Sequence, residues 1–236
     1  MHDVEIRQEI IDRVLARRGR LHLFDNLDPH KTALVIIDMQ GTFVEPGSPA
    51  EVPSSRGIIG NINELSSSLR QLGCTIIWVT HANAHNSNAS DWNMFFNHFV
   101  ASDVRQKTIE SLTPEGDGQK VWRDLKVEPD DLQIIKNRYS ALVPGSSSLE
   151  RTLRSRGLTN LLIAGTKTNV CCEATGRDAM MLDYRVIMVS DCLGALSDDE
   201  HRASLETFIQ QFGDVMPASE VIAVLQNKRN EVNVSD

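Results

Sequence analysis

Residues 33–37 form an unbroken apolar run, ALVII, that stops at a carboxylate, Asp38. Five apolar residues in a row, three of them β-branched, leave no polar face to turn toward water. The segment therefore reads as a strand covered on both sides. Such a strand needs helices above and below it, and the chain supplies them in alternation. Ile58, Ile62, Leu65, Leu69 and Leu72 step by four and three and end at Gly73, the spacing of one helix face closed by a glycine. Residues 74–79 (CTIIWV) read as a second strand, and residues 133–135 as a short third that ends at Lys136. Ser147 and Glu150 have capping-box spacing ahead of a helix stopped by Gly157. Residues 161–164 are a fourth strand, followed by a helix over about 169–182 and a fifth strand at 185–189. Ser197 and Glu200 repeat the capping-box spacing before Leu205, Phe208, Ile209 and Phe212, with Gly213 closing. A short strand near Val215 and a helix over 219–225 finish the pattern. It predicts an α/β fold with a mostly parallel sheet flanked by helices and joined by right-handed crossovers.

Two segments stand outside the alternation. Residues 3–18 place Ile6, Ile10, Ile11, Val14 and Leu15 at helical spacing, with Asp3 as a candidate N-cap and Gly19 past the end. This helix either packs on its own domain or reaches a neighbouring subunit, so residues 1–30 are set apart as an N-terminal arm and 31–228 as the main domain. Residues 81–132 carry Trp92, Phe95, Phe96, Phe99 and Trp122, too apolar for a linker. They read as an insertion folding over one end of the sheet.

Charge narrows the function. Lys plus Arg total 24 against 32 Asp plus Glu, a net charge of −8. Nucleic-acid binding needs a basic face, so it is not expected. No apolar run exceeds five residues, against about 20 for a membrane span. The opening MHDVEIRQEI is charged where an export signal is apolar. Four cysteines, two of them adjacent, do not resemble a disulfide framework, and a reducing cytoplasm is the expected compartment.

In an open parallel sheet the site lies beyond the carboxyl ends of the strands. The first strand ends in Asp38, the third in Lys136, and the fourth runs through GTKTNVCC into a helix with Cys171 in its first turn. A carboxylate, an amine and a thiol thus converge on one rim as base, positive partner and nucleophile. A helix N-terminus favours a thiolate and offers N–H groups to an oxyanion, so a lowered Cys171 pKa is expected. Taken singly, each residue has an ordinary structural reading as turn carboxylate, surface charge or buried thiol.

At these residues the chain resembles the isochorismatase-like superfamily of cysteine hydrolases. The resemblance runs from about residue 31 to 225 through ALVIIDMQGTFVEPG, KNRYSAL, LIAGTKTNVCCEATGRDAMMLDYRV and VSDCLGALSDDEH. It implies a three-layer Rossmann-like fold with a six-stranded parallel sheet, homo-oligomeric assembly, and an Asp38–Lys136–Cys171 triad. It selects Cys171 over Cys172, leaving Cys172 and Cys74 to the core and Cys192 in a loop after strand five. It implies a non-proline cis peptide at Lys167–Thr168, aiming the N–H groups of Thr168 and Cys171 at an oxyanion. Lys167 is a departure from the family pattern and faces either solvent or an anionic substrate group.

The thiol points to C–N hydrolysis within the family, and the segments at 136 and 168 look most like the ureide-cleaving members (ureidoacrylate, biuret or triuret, carbamoyl amino acids). A small-molecule amide is the implied partner, and no cofactor is called for. Arg138 and Tyr139 are candidate substrate contacts, with a structural ion pair the other reading of Arg138. Asn83, Trp92 and Phe95 are candidate pocket walls, and Gln210 or Gln211 a candidate amide donor. His81 and His85 are four apart, but the family's Asp-x-His metal pattern is missing, so no metal is expected. The competing readings are a metal-assisted nicotinamidase-type amidase, an isochorismate-type vinyl-ether hydrolase, and an inactive interaction scaffold.

Overall fold

The computed structural model describes residues 2–83, 90–114 and 116–235, with side chains as far as residue 227. Six strands, β1 (Thr32–Ile37), β2 (Thr75–His81), β3 (Leu132–Lys136), β4 (Asn160–Thr166), β5 (Arg185–Gly194) and β6 (Asp214–Met216), form one sheet. Their order is β3-β2-β1-β4-β5-β6, and every neighbouring pair is parallel. The helices are α1 (Gln8–Arg18), α2 (Gly41–Val44), α3 (Ile59–Leu72), α4 (Asn93–His98), α5 (Ser102–Ser111), α6 (Leu149–Ser155), α7 (Glu173–Met181), α8 (Asp198–Gln211) and α9 (Ala218–Ser235). Among the described residues no helix is long and apolar enough to cross a membrane.

The run at 33–37 shows why two helical layers are needed. Strand side chains alternate between faces. Ala33, Val35 and Ile37 enter one core with Leu149 and Leu153 of α6 and Leu205, Phe208 and Ile209 of α8. Leu34 and Ile36 enter the other, with Ile62, Leu65 and Leu69 of α3 and Val221 and Leu225 of α9. All five are fully buried. Gly73, just past α3, takes the left-handed conformation (φ 91°), and a Cβ there would lie 2.7 Å from the His30 ring.

The caps divide. Ser197 accepts from the Glu200 N–H at 3.2 Å, as its spacing predicts. The Ser147–Glu150 box does not form, because α6 is entered through Ser148 and Ser147 faces inward. The Ser147 Oγ donates to the Ala141 carbonyl (2.6 Å) and accepts from the Leu149 N–H (3.0 Å). Asp3 is no cap either, since α1 starts at Gln8 behind an extended Arg7. Strand β5 runs on to Gly194, past a register shift against β4 between Ile163 and Gly165. Cys192 therefore lies in a buried strand, not in a loop.

Helix α1 lies along α8 of the same chain. Ile10 and Val14 join the sheet's core, the Arg7 Nε donates to Glu206 at 2.9 and 3.1 Å, and the Arg17 Nη1 donates to Gln211 Oε1 at 2.8 Å. Behind it the fully buried Asp214 accepts from Arg18 (3.0 Å) and from the N–H groups of Leu23 (2.6 Å) and Phe24 (2.8 Å).

Candidate active site

The strand order reverses between the central pair β1 and β4, and their carboxyl ends open the crevice where α/β sheets place their sites. Asp38 follows β1 with φ 54°, a left-handed geometry that aspartate tolerates better than most residues. Its N–H still donates to the Val79 carbonyl at 2.8 Å, so the chain turns while tied to β2. Lys136 ends β3, two strands away, a gap of about 10 Å at ordinary strand spacing. A long side chain is needed to cross it. The Lys136 Nζ lies 2.8 Å from Asp38 Oδ2, donates to the Arg138 carbonyl at 3.0 Å, and sits 3.4 Å from His81 Nδ1. Asp38 and Lys136 are 1% and 0% exposed.

Strand β4 delivers the thiol. Gly165 has φ 111°, and a Cβ on it would fall 2.0 Å from the Ile37 carbonyl oxygen, so β4 and β1 approach closely only because glycine stands there. The chain then makes a π-type turn over Thr168–Cys172, in which the N–H groups of Val170 and Cys172 both donate to the Lys167 carbonyl (3.1 and 3.2 Å). The turn presents Cys171 to the cavity and Cys172 to the core, where its Sγ is 3.8 Å from the Ala164 carbonyl. The non-proline cis bond is one residue earlier than expected, at Thr166–Lys167.

Asp38, Lys136 and Cys171 interact as one unit. Burial pushes the Asp38 carboxyl up and the Lys136 charge opposes it. Neither Asp38 oxygen accepts a well-aligned hydrogen bond, so the carboxylate is held chiefly by that charge. Burial alone would strip Lys136 of its proton, but the attraction of Asp38 and Cys171 prevails and raises its pKa. Burial and then the Asp38 charge push the Cys171 thiol up to about 12. The expectation of a thiolate at a helix start is thereby overturned: Cys171 is 7% exposed beside a carboxylate, and desolvation outweighs the helix end. The resting site is an ion pair against a neutral thiol.

Asp38 and Cys171 border a cavity of about 460 Å³, with Lys136 buried behind Asp38. Trp92, Phe95 and Tyr139 line it, as does half-buried Lys167, which belongs to this wall rather than to open solvent. Other candidates stand elsewhere. Asn83 is buried and pins the segment after β2 to α5, its amide donating to the Ile109 carbonyl (3.3 Å) and its N–H to the Leu112 carbonyl (3.0 Å). Arg138 sits behind the wall, its Nη1 on the Asn137 carbonyl (2.7 Å) and its guanidinium 5.3 Å from the Trp92 ring centre. Gln211 is exposed on the far side, taken by Arg17, and Gln210 accepts from Arg13 at 3.1 Å. His81 lines the cavity, and burial with the adjacent Lys136 charge holds its pKa well below the ordinary histidine value, so it is neutral. His85 lies outside the described residues. Among the described residues no three His, Cys, Asp or Glu side chains are grouped to hold a metal.

Two supporting residues escaped the sequence reading. The Gln40 amide spans the crevice, accepting from the His81 N–H (2.6 Å) and donating to the His81 carbonyl (2.9 Å), and so binds the turn after Asp38 to the end of β2. His201 Nδ1 lies 2.9 Å from the Thr168 hydroxyl and steadies the turn that carries Cys171; burial and neighbouring His2 lower its pKa to about 4. Both residues stand inside the resembling stretches, at DMQ and SDDEH, and that was the available signal.

The profile of the isochorismatase domain matches residues 32–220. The chain belongs to the isochorismatase family. A probable inactive nicotinamidase from Arabidopsis thaliana is 32% identical over 176 residues, 74% of this chain and 86% of that protein. The ureidoacrylate amidohydrolase RutB of Pseudomonas savastanoi pv. phaseolicola is 29% identical over 178 residues, 70% of this chain and 71% of the relative. The crystal structure of a cysteine hydrolase from Pseudomonas syringae pv. phaseolicola superposes with a TM-score of 0.75 at 28% identity, covering 86% of this chain and 95% of the other.

Proposed function

We propose that this family member is a cysteine-dependent amidohydrolase that cleaves the terminal C–N bond of a small acyclic amide or ureide and releases ammonia through a covalent acyl-enzyme. The observation that carries the reading is the buried Asp38–Lys136 ion pair coupled to a cavity-facing Cys171. The similarity to an amidohydrolase and to a cysteine hydrolase supports it.

With a thiol pKa near 12, the proton must leave as the sulfur attacks. Asp38 takes it while the Cys171 Sγ bonds to the carbonyl carbon. The N–H groups of Thr168 and Cys171 hold the oxyanion. Asp38 returns the proton to the leaving nitrogen, the C–N bond breaks, and ammonia departs. Water then loses a proton to Asp38 as its oxygen attacks the thioester (a thiocarbamate from a ureide). The C–S bond breaks, the sulfur recovers the proton, and the acid leaves. Lys136 keeps Asp38 ionised between these steps.

The test is ammonia release from a panel of ureides, carbamoyl amino acids, maleamate, nicotinamide and 3-phenylpropanamide. The wild type is expected to turn over at least one, and Cys171→Ser, Asp38→Asn and Lys136→Ala each to lose at least ~100-fold in turnover. Silence across the panel, or Cys171→Ser at wild-type rate, contradicts the reading.

A further inference from the structure

We infer that the cavity takes an amide with an apolar, ring-sized body in preference to a small, polar ureide. The inference refines the proposed hydrolase function, which places the scissile bond at Cys171.

The cavity's volume of about 460 Å³ is in the range that holds ring-containing ligands. Its described wall is aromatic and aliphatic. Trp92 stacks on Phe95 with ring centres 5.0 Å apart, and Tyr139 meets both edge-on at 4.6 and 5.6 Å. Val104, Leu112 and Val170 continue the apolar surface. Lys167, His81 and Tyr139 add polar atoms to this wall, whereas its other polar side chains outside the reacting pair are committed within the protein. Ser48 donates to the Thr42 carbonyl (2.7 Å), Thr108 to the Val104 carbonyl (2.8 Å) and Thr166 to the Gly194 carbonyl (3.2 Å). Glu51 is paired with Arg56 at 2.8 Å and accepts the Gly47 N–H at 2.8 Å. The guanidinium that would best match a ureide, Arg138, is turned onto a backbone carbonyl behind Trp92.

A biuret carries several N–H and C=O groups that are hydrogen-bonded in water. Beyond the reacting amide, the described wall offers them only Lys167, His81 and Tyr139, and each group left unpaired costs roughly tenfold in affinity. An apolar ring leaves no such debt and covers the Trp92–Phe95–Tyr139 surface instead.

The experiment is calorimetric titration of the full-length Cys171→Ala protein, which binds without turnover, using 3-phenylpropanamide, propanamide, biuret and nicotinamide. Binding of 3-phenylpropanamide is expected to be at least ~50-fold tighter than that of propanamide or biuret, and tighter than that of nicotinamide. Adding Phe95→Ala should narrow the phenylpropanamide-to-propanamide ratio at least ~5-fold, and Trp92→Leu serves as a second variant should the first fail to fold. Biuret or nicotinamide binding as tightly as the aryl amide, no measurable binding of the aryl amide, or a ratio unmoved by these substitutions overturns the inference. The two readings fail separately. Wild-type ammonia release from biuret without aryl-amide binding sinks the apolar preference alone. Tight aryl-amide binding with no ammonia from any amide sinks the hydrolase alone.

Discussion

Lys136 and Asp38 form an ion pair sealed from water at the ends of strands two places apart, each raising the question of what keeps the other charged. Burial favours a protonated Asp38, and the Lys136 charge opposes that shift. In its proposed role as base Asp38 works only when ionised, so kcat/KM should fall as pH drops through the Asp38 pKa, and that limb should lie above the ordinary carboxylate range. Removing the opposing charge raises the Asp38 pKa further. In Lys136→Met the residual activity should therefore show its acid limb shifted toward neutral pH. A pH profile whose limb stays in place would show that Lys136 does not set the charge of Asp38. At this scale the sequence named the three groups, because each stands where a strand ends. It could not give the thiol's state. A helix start argues for a thiolate and desolvation argues against one, and only the packed cavity shows that desolvation wins. Gln211 failed as a candidate for a related reason: a helix face with two polar neighbours does not reveal that the N-terminal helix claims both.

The elements hold the site through close contacts between β1, β2 and β4. Gly165 lets β4 press against Ile37, and the Gln40 amide sews the turn after β1 to His81. An alanine at 165 combines a positive φ with a backbone clash that no rotamer relieves. Gly165→Ala is expected to cost about 3 kcal/mol or more in urea unfolding and to reduce turnover by separating Asp38 from Cys171. Stability within 1 kcal/mol of wild type would mean that the two strands can part freely. The alternating pattern foretold the strands, and one of the two capping boxes formed. The Ser147 box failed because the serine oxygen accepts the Leu149 N–H while its hydroxyl donates to Ala141, and spacing cannot tell that N–H from the Glu150 N–H a box requires.

Across the whole molecule, two cores sandwich one sheet and the N-terminal segment closes one flank. The continuous apolar run of β1 carried that architecture in the sequence, since only two helical layers can bury both of its faces. Whether α1 packs on its own chain was not legible, because an amphipathic helix fits any matching surface. The answer lies in Arg7, Arg17 and Arg18 meeting partners nearly two hundred residues away. Asp214 is the anchor, fully buried with Arg18 and two backbone N–H groups on its oxygens. Asp214→Ala leaves the two backbone N–H groups unpaired and removes the carboxylate opposite Arg18, whose guanidinium keeps only carbonyl partners, and should cost about 3–5 kcal/mol by urea denaturation. A loss below 1 kcal/mol would show that the segment is held elsewhere.

All these scales meet in the proposed chemical event, the transfer of an acyl group to one of two adjacent sulfurs. Acid-quenching the wild-type protein during turnover of an amide that it hydrolyses, followed by peptide mass mapping, locates that group. The account predicts the acyl mass on Cys171, none on Cys172, and none in Cys171→Ser under the same conditions. Rapid turnover with no adduct on Cys171, or an adduct on Cys172, would contradict it.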